Sequence, residues 1–260
     1  MSSLFLRDDL ADLPHAVGDE VELVGDEARH AATVNRMRVG ESTSVGDGRG
    51  LVVSGTVTAV EPKRVVVAVD DVRHTDQPAV RLTLVQALAK GDRDELAIQA
   101  ATELGADAVV PWQAERSVSR WSGPKVAKGE ERWRSIVREA AKQAIRPWVP
   151  EVGSLLSTAD LVGLAGRSRM LVLEPTASER LAGWRPEPPG GDDSTSTGGD
   201  STSTVEVVLV VGPEGGISPG ELERLQTAGA TLVRLGPEVL RTSTAGPAAI
   251  AALAVALGRW

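Results

Sequence analysis

Across residues 1–75 the chain alternates short apolar runs with glycine and aspartate turns. Examples are Glu20-Val21-Glu22-Leu23-Val24-Gly25, Thr43-Ser44-Val45-Gly46-Asp47-Gly48, Leu51-Val52-Val53-Ser54-Gly55-Thr56-Val57 and Arg64-Val65-Val66-Val67-Ala68-Val69. This spacing predicts a small β-barrel or sandwich. Over residues 26–38 the pattern changes, and Ala28, Ala31, Ala32 and Met37 suit a short helix. Residues 71–78 are polar and end in proline, which sets a domain boundary near residue 75.

Beyond that boundary, over residues 76–260, strands and helices alternate. Val80-Arg81-Leu82-Thr83-Leu84-Val85-Gln86-Ala87-Leu88 reads as a strand, Lys90-Gly91-Asp92 opens a helix ending at Leu104-Gly105, and Ala108-Val109-Val110 reads as the next strand. Further strands are expected at 169–173, 205–211 and 231–235, each followed by a helix, and an Ala-rich helix closes the chain near Gly258. Another helix is expected from about Gly129 to Arg146, stopped by Pro147. Trp133, Ile136, Val137, Ala140 and Ala144 form its apolar stripe, with Arg132, Glu139, Gln143 and Arg146 clustered beside it. A β-α-β rhythm implies a parallel sheet covered on both faces, hence an α/β domain. Residues 185–204, RPEPPGGDDSTSTGGDSTST, have nothing to bury and are expected to be a disordered insertion.

Composition narrows the chemistry. With 42% hydrophobic residues in 260, the chain can bury a real core. No apolar run approaches the ~18 residues of a spanning helix, and the N-terminus lacks a signal-peptide pattern, so a cytoplasmic protein with no membrane partner is expected. There is no cysteine, which excludes disulfides, thiolate metal sites and cysteine nucleophiles together. His15, His30 and His74 are scattered, so no metal site is expected. The net charge of -8 argues against a polyanionic partner, yet residues 116–146 carry nine Lys or Arg against three acids, a local +6. Such a strip either orients RNA or is a solvated helix face. No tyrosine and a single phenylalanine disfavour stacking-based binding of single strands.

The most informative segment is Val207-Val208-Leu209-Val210-Val211-Gly212-Pro213-Glu214-Gly215-Gly216-Ile217-Ser218-Pro219-Gly220-Glu221. A buried strand empties into a glycine turn, and Ser218, Pro219 and Glu221 mark the capped start of a helix. The turn falls at a parallel strand's carboxyl end, where open α/β sheets bind ligands. Neither the dinucleotide fingerprint nor a phosphate-binding Gly-Lys-Ser/Thr is present, and alone it reads equally as a structural turn. A second strand end opens into Leu235-Gly236-Pro237-Glu238-Val239-Leu240-Arg241-Thr242-Ser243-Thr244-Ala245. Two such loops together favour a pocket.

These two segments resemble the RsmE family of 16S ribosomal RNA uridine-N3 methyltransferases, in the SPOUT superfamily. The similarity extends through Lys90-Gly91-Asp92-Arg93, Gln99-Ala100-Ala101-Thr102-Glu103-Leu104-Gly105, Pro111, Glu115-Arg116-Ser117-Val118, Trp133, Glu139-Ala140, Gln143 and Arg146. His30, Arg36-Met37-Arg38, Gly40 and Asp47-Gly48 resemble that family's PUA-like RNA-binding domain. The chain departs from the family at Ile217, where an aromatic is usual, at Glu238, where a basic residue is usual, and at Ser243-Thr244-Ala245, where Glu-Thr-Ala is usual.

The resemblance implies a PUA-like β-barrel over 1–75, a knotted SPOUT methyltransferase domain over 76–260, and a homodimer acting on 16S rRNA in the small ribosomal subunit. It implies S-adenosylmethionine as cofactor, held by Leu173, Gly212, Glu214, Gly215, Leu235, Leu240, Arg241 and Thr244. Uracil N3 must lose a proton, and an arginine near the neighbouring carbonyls would stabilise the developing anion. The candidates are Arg241 and Arg146, then Arg116, with Glu139 either the proton acceptor or the residue that fixes Arg146. RNA positioning would fall to His30, Arg36, Arg38, Arg116, Arg120, Arg132 and Arg138. Other readings are a non-catalytic assembly factor, a ribose 2'-O-methyltransferase and, disfavoured by the missing fingerprint, a nucleotide-dependent oxidoreductase.

Overall fold

The computed structural model describes residues 3–185 and 205–260. Apart from Arg185, the insertion expected at 185–204 lies outside the described residues. The chain divides into two compact units, Met1–Gln77 with Arg138–Val149, and Pro78–Val137 with Pro150–Trp260.

In the first unit, β1 (Leu4–Leu6), β2 (Glu20–Val24), β3 (Ser42–Gly46), β4 (Leu51–Glu61) and β5 (Arg64–His74) form one sheet in the order β1-β3-β4-β5-β2. Alternate residues of β4 turn inward, so Leu51, Val53 and Val57 join Phe5, Leu23 and Val67 in a single core. Register shifts at Ser54/Gly55 and Val57/Ala59 bend this long hairpin, which lets one sheet curl around that core. Gly55 is required there, because a Cβ would lie 2.0 Å from the Ala68 carbonyl oxygen. The short helix α1 (Gly25–Arg29) continues only as one wide π turn, His30–Val34, and so stops before Arg36, which sits at φ 51°. Within the same unit the Trp148 indole donates to the Thr75 carbonyl at 2.7 Å, and Lys142, buried, pairs with Glu27 at 2.9 Å.

In the second unit β6 (Val80–Ala87), β7 (Ala108–Trp112), β8 (Glu151–Val152), β9 (Arg169–Leu173), β10 (Glu179–Arg180), β11 (Val205–Val211) and β12 (Thr231–Arg234) make a parallel sheet ordered β10-β12-β9-β11-β6-β7-β8. Its helices are α2 (Arg93–Glu103), α3 (Pro124–Gln143, whose last turns fall in the first unit), α4 (Thr158–Ala165), α5 (Pro219–Thr227) and α6 (Thr242–Ala256). Strand β11 lies between β9 and β6, and Val207, Val208, Leu209 and Val210 are all fully buried, which is why that run is apolar without alternation.

Three expectations change. No helix follows β9 among the described residues; a turn from Glu174, the short β10 and a 3-10 turn at Leu181–Gly183 stand there instead. Helix α3 starts at Pro124 rather than near Gly129 and ends at Gln143, because a proline suits a first helical turn whose N–H groups have no partner anyway. Helix α4 was not anticipated, although Ser157 and Asp160 form a reciprocal cap at its start.

Candidate active site

Strands β12, β9 and β11 are neighbours and parallel, so the loops leaving their carboxyl ends converge. They enclose a cavity of about 370 Å³, walled by Leu173 to Pro175 after β9, Val211 to Glu214 with Gly216 and Ile217 after β11, and Val233 to Gly236 with Glu238 to Thr242 after β12. That volume suits a nucleoside-sized ligand. Its walls are mostly apolar, with Arg93, Glu174, Glu214, Arg234, Glu238 and Arg241 as the charged groups.

The β11 turn is built for close packing. A Cβ on Gly212 would lie 2.7 Å from Ile217 Cγ1, and Gly216 takes φ 71° while its N–H donates to the Pro213 carbonyl at 2.9 Å. Ser218 then caps α5: the Glu221 N–H donates to Ser218 Oγ at 3.2 Å, and the Ser218 N–H to Glu221 Oε2 at 3.1 Å. Glu221 is fully buried, and its other oxygen accepts from the Glu115 N–H at 2.8 Å and the Thr158 hydroxyl at 2.7 Å. Burial alone would raise the Glu221 pKa, but these hydrogen bonds outweigh it and hold the carboxyl below its ordinary value. One carboxylate thus ties the segment after β7, the start of α4 and the start of α5 together.

The two main loops are joined through Thr242. Its hydroxyl donates to the Gly212 carbonyl at 2.7 Å and accepts from Gln86 Nε2 at 2.9 Å. Sequence reasoning missed Gln86 as part of the site; the signal was an amide inside an otherwise apolar strand end. Glu214 is anchored by the Lys90 N–H at 2.9 Å and Arg93 at 3.1 Å. Burial pushes the Glu214 carboxyl up, and the backbone donors and Arg93 more than reverse this, leaving it lowered and ionised at neutral pH. Arg93, Glu174, Arg234 and Glu238 were also not anticipated as wall residues; being charged at the ends of apolar strands or loops, they carried no periodic signal.

Of the cofactor candidates, Leu173, Gly212, Glu214, Leu235, Leu240 and Arg241 line the cavity. Gly215 is next to it, and its carbonyl accepts from Arg116 at 3.1 Å. The Thr244 N–H donates to the Arg241 carbonyl at 2.8 Å in the first turn of α6. Arg116 and Arg241 belong to the second unit, Glu139 and Arg146 to the first. Glu139 pairs with Lys142 at 3.2 Å. Among the RNA candidates, Arg120 donates to the Glu115 carbonyl, Arg132 pairs with Glu95 at 2.9 Å, and Arg138 pairs with Asp8 at 2.9 Å. The basic strip is therefore partly neutralised. His30 packs edge-on against Phe5, and Arg36 and Arg38 are exposed.

A model of the RNA methyltransferase domain matches residues 75–254, and one of the RNA methyltransferase PUA domain matches residues 23–70. The chain is 43% identical to ribosomal RNA small subunit methyltransferase E of Mycobacterium bovis, over 100% of this chain and 94% of that one. It is 30% identical to the Bacillus subtilis protein of the same name, over 89% and 88%. Among solved structures it is similar to ribosomal RNA small subunit methyltransferase E from Neisseria gonorrhoeae bound to S-adenosyl methionine, at 28% identity, TM-score 0.79 and 98% coverage of both chains. A putative methyltransferase from Legionella pneumophila in complex with the same cofactor gives 27% identity and TM-score 0.80. A PUA domain followed by a SPOUT-type parallel sheet, matched over the whole chain, makes this protein a member of the ribosomal RNA small subunit methyltransferase E family.

Proposed function

We propose that the protein methylates N3 of a uridine in 16S rRNA of the small ribosomal subunit, with S-adenosylmethionine as methyl donor, acting as a cytoplasmic homodimer. The observation that carries this reading is the cavity between the β9, β11 and β12 loops, with the exposed Arg241 on its wall. The cavity's chemistry fits the donor: Leu173, Ile217 and Leu240 offer an apolar surface for an adenine, and the ionised Glu214 favours a cation such as a sulfonium. When bound, the donor supplies a methyl group on positively charged sulfur.

The chain's residues do the rest. Leu173, Gly212, Glu214, Gly215, Leu235, Leu240, Arg241 and Thr244 hold and shape the donor site. Arg241, with Arg146 and Arg116, stabilises negative charge on the uracil carbonyls as the N3 proton leaves, and Glu139 accepts that proton or positions Arg146. Residues 1–75 act as the PUA-like RNA-binding domain and 76–260 as the methyltransferase domain. His30, Arg36, Arg38, Arg120, Arg132 and Arg138 contact RNA phosphates and shape, Arg132 and Arg138 by exchanging their present partners.

The test is transfer of labelled methyl groups to purified small subunits lacking the modification, followed by mass spectrometry of the nucleosides. N3-methyluridine is the expected product. A 2'-O-methyl nucleoside, or RNA binding without transfer, refutes the reading in favour of a ribose methyltransferase or an assembly factor.

A further inference from the structure

Arg234 ends β12 and lines the cavity, half-buried. Its Nε is shielded from solvent and has no hydrogen-bond partner among the described residues. A shielded guanidinium N–H without an acceptor is unfavourable, and residues rarely keep one unless something else completes it. The cavity's carboxylates, Glu174, Glu214 and Glu238, form no hydrogen bond to that Nε. Glu214 is engaged by Arg93 and Lys90, and Glu174 accepts from the N–H and hydroxyl of Thr176 at 3.1 and 2.9 Å. The surroundings add positive charge instead: Arg180 stands in register with Arg234 across the parallel β10–β12 pair, so both side chains leave the same face of the sheet. Two like charges side by side repel unless an anion joins them.

We propose that Arg234 anchors the α-carboxylate of the methyl donor. This rests on the S-adenosylmethionine reading above. The donor has one anionic group, at the end of its amino-acid arm, and Arg234 is the half-buried cation of the wall, whereas Arg241 is exposed and suited to the incoming base. An arginine–carboxylate contact is charge-assisted and directional, so it fixes the arm and thereby the direction in which the sulfur presents its methyl group. Arg234 is on this account a positioning residue for the reaction.

The experiment measures binding of S-adenosylmethionine and of decarboxylated S-adenosylmethionine by calorimetry, without RNA, to the full-length wild type and to Arg234→Met and Arg234→Lys. The wild type is expected to bind the decarboxylated compound on the order of tenfold more weakly. Arg234→Met should lose a similar factor toward S-adenosylmethionine and nothing toward the decarboxylated compound, and Arg234→Lys should recover part of the loss. Equal wild-type affinity for the two compounds overturns the anchor regardless of how the variants fold. So does an equal loss, or no loss, for both compounds in Arg234→Met. Failure of the wild type to bind either compound overturns the methyl-donor reading itself, a result distinct from every other.

Discussion

The hydroxyl of Thr242 donates to the carbonyl of Gly212 at 2.7 Å, joining the first turn of α6 to the turn after β11. Gln86, fully buried in β6, donates to the same hydroxyl at 2.9 Å. Replacing the hydroxyl by a methyl of similar size removes both bonds and strands a carbonyl and an amide beneath the cavity. Thr242→Val should therefore cost about 1–3 kcal/mol of stability, and should weaken S-adenosylmethionine binding on the order of tenfold because both loops shape that site. Thermal unfolding and calorimetry together check this. An unchanged affinity would mean that the loops hold their geometry without the link.

Glu221 carries a similar load at the other end of the turn, with three donors on one buried carboxylate. Removing it in Glu221→Ala should destabilise the protein by roughly 2–4 kcal/mol through the lost cap and the unpaired donors. The sign of the pH dependence follows from the lowered folded-state pKa. This contribution is present above the unfolded value near 4.5 and is lost as pH falls through the folded pKa below it. Urea titrations from pH 7 down to pH 3 should show the wild type losing its advantage over Glu221→Ala in that acid range. A stability gap independent of pH would contradict the assignment.

The contrast between Ser218 and Glu115 explains how much of this was legible beforehand. Ser218 and Glu221 are three residues apart, so the cap could be read from spacing; the bonds from Glu115 and Thr158 to the same carboxylate span 106 and 63 residues, and no local pattern encodes them. Strands β9 and β11 were legible because burial on both faces forces unbroken apolar runs. Among the described residues no α-helix follows β9 before β11, since a strand's apolar run says nothing about the connection that follows it. The convergence of the β9, β11 and β12 loops depends on strand order, β12 lying outside β9 and β11 inside, and order has no signature in one sequence. Family resemblance supplied that link. Arg132 illustrates the same limit at one side chain: helical spacing put it near Arg146, but its partner is Glu95 on α2.

At the end of α3, Ile145 takes φ 53°, and the Arg146 N–H donates to the Ala141 carbonyl at 2.9 Å, the closing bond of a helix stop that normally uses glycine. A β-branched residue in the left-handed region costs about 1–2 kcal/mol. Ile145 is half exposed, so little packing offsets that cost. Ile145→Gly is therefore expected to raise stability by about 1 kcal/mol, seen as a higher midpoint in urea at unchanged slope. A lower midpoint would show that the side chain's contacts outweigh the backbone cost.

Arg241 gives the sharpest test of the catalytic assignment, because its backbone and side chain have separable tasks. Its carbonyl accepts from the Thr244 and Ala245 N–H groups at 2.8 and 2.9 Å and so starts α6, while its side chain makes no capping bond and is exposed on the cavity wall. Arg241→Ala keeps the backbone bonds and should leave the unfolding temperature nearly unchanged. If the guanidinium stabilises charge on the uracil as N3 loses its proton, single-turnover methyl transfer at saturating S-adenosylmethionine and RNA should fall about 10²-fold or more, the usual cost of deleting one such donor. Donor affinity should change far less than the rate, since the interaction develops only as the base ionises. A rate within about twofold of wild type, a barrier change of only about 0.4 kcal/mol, would remove Arg241 from the catalytic group and shift the role to Arg146 or Arg116.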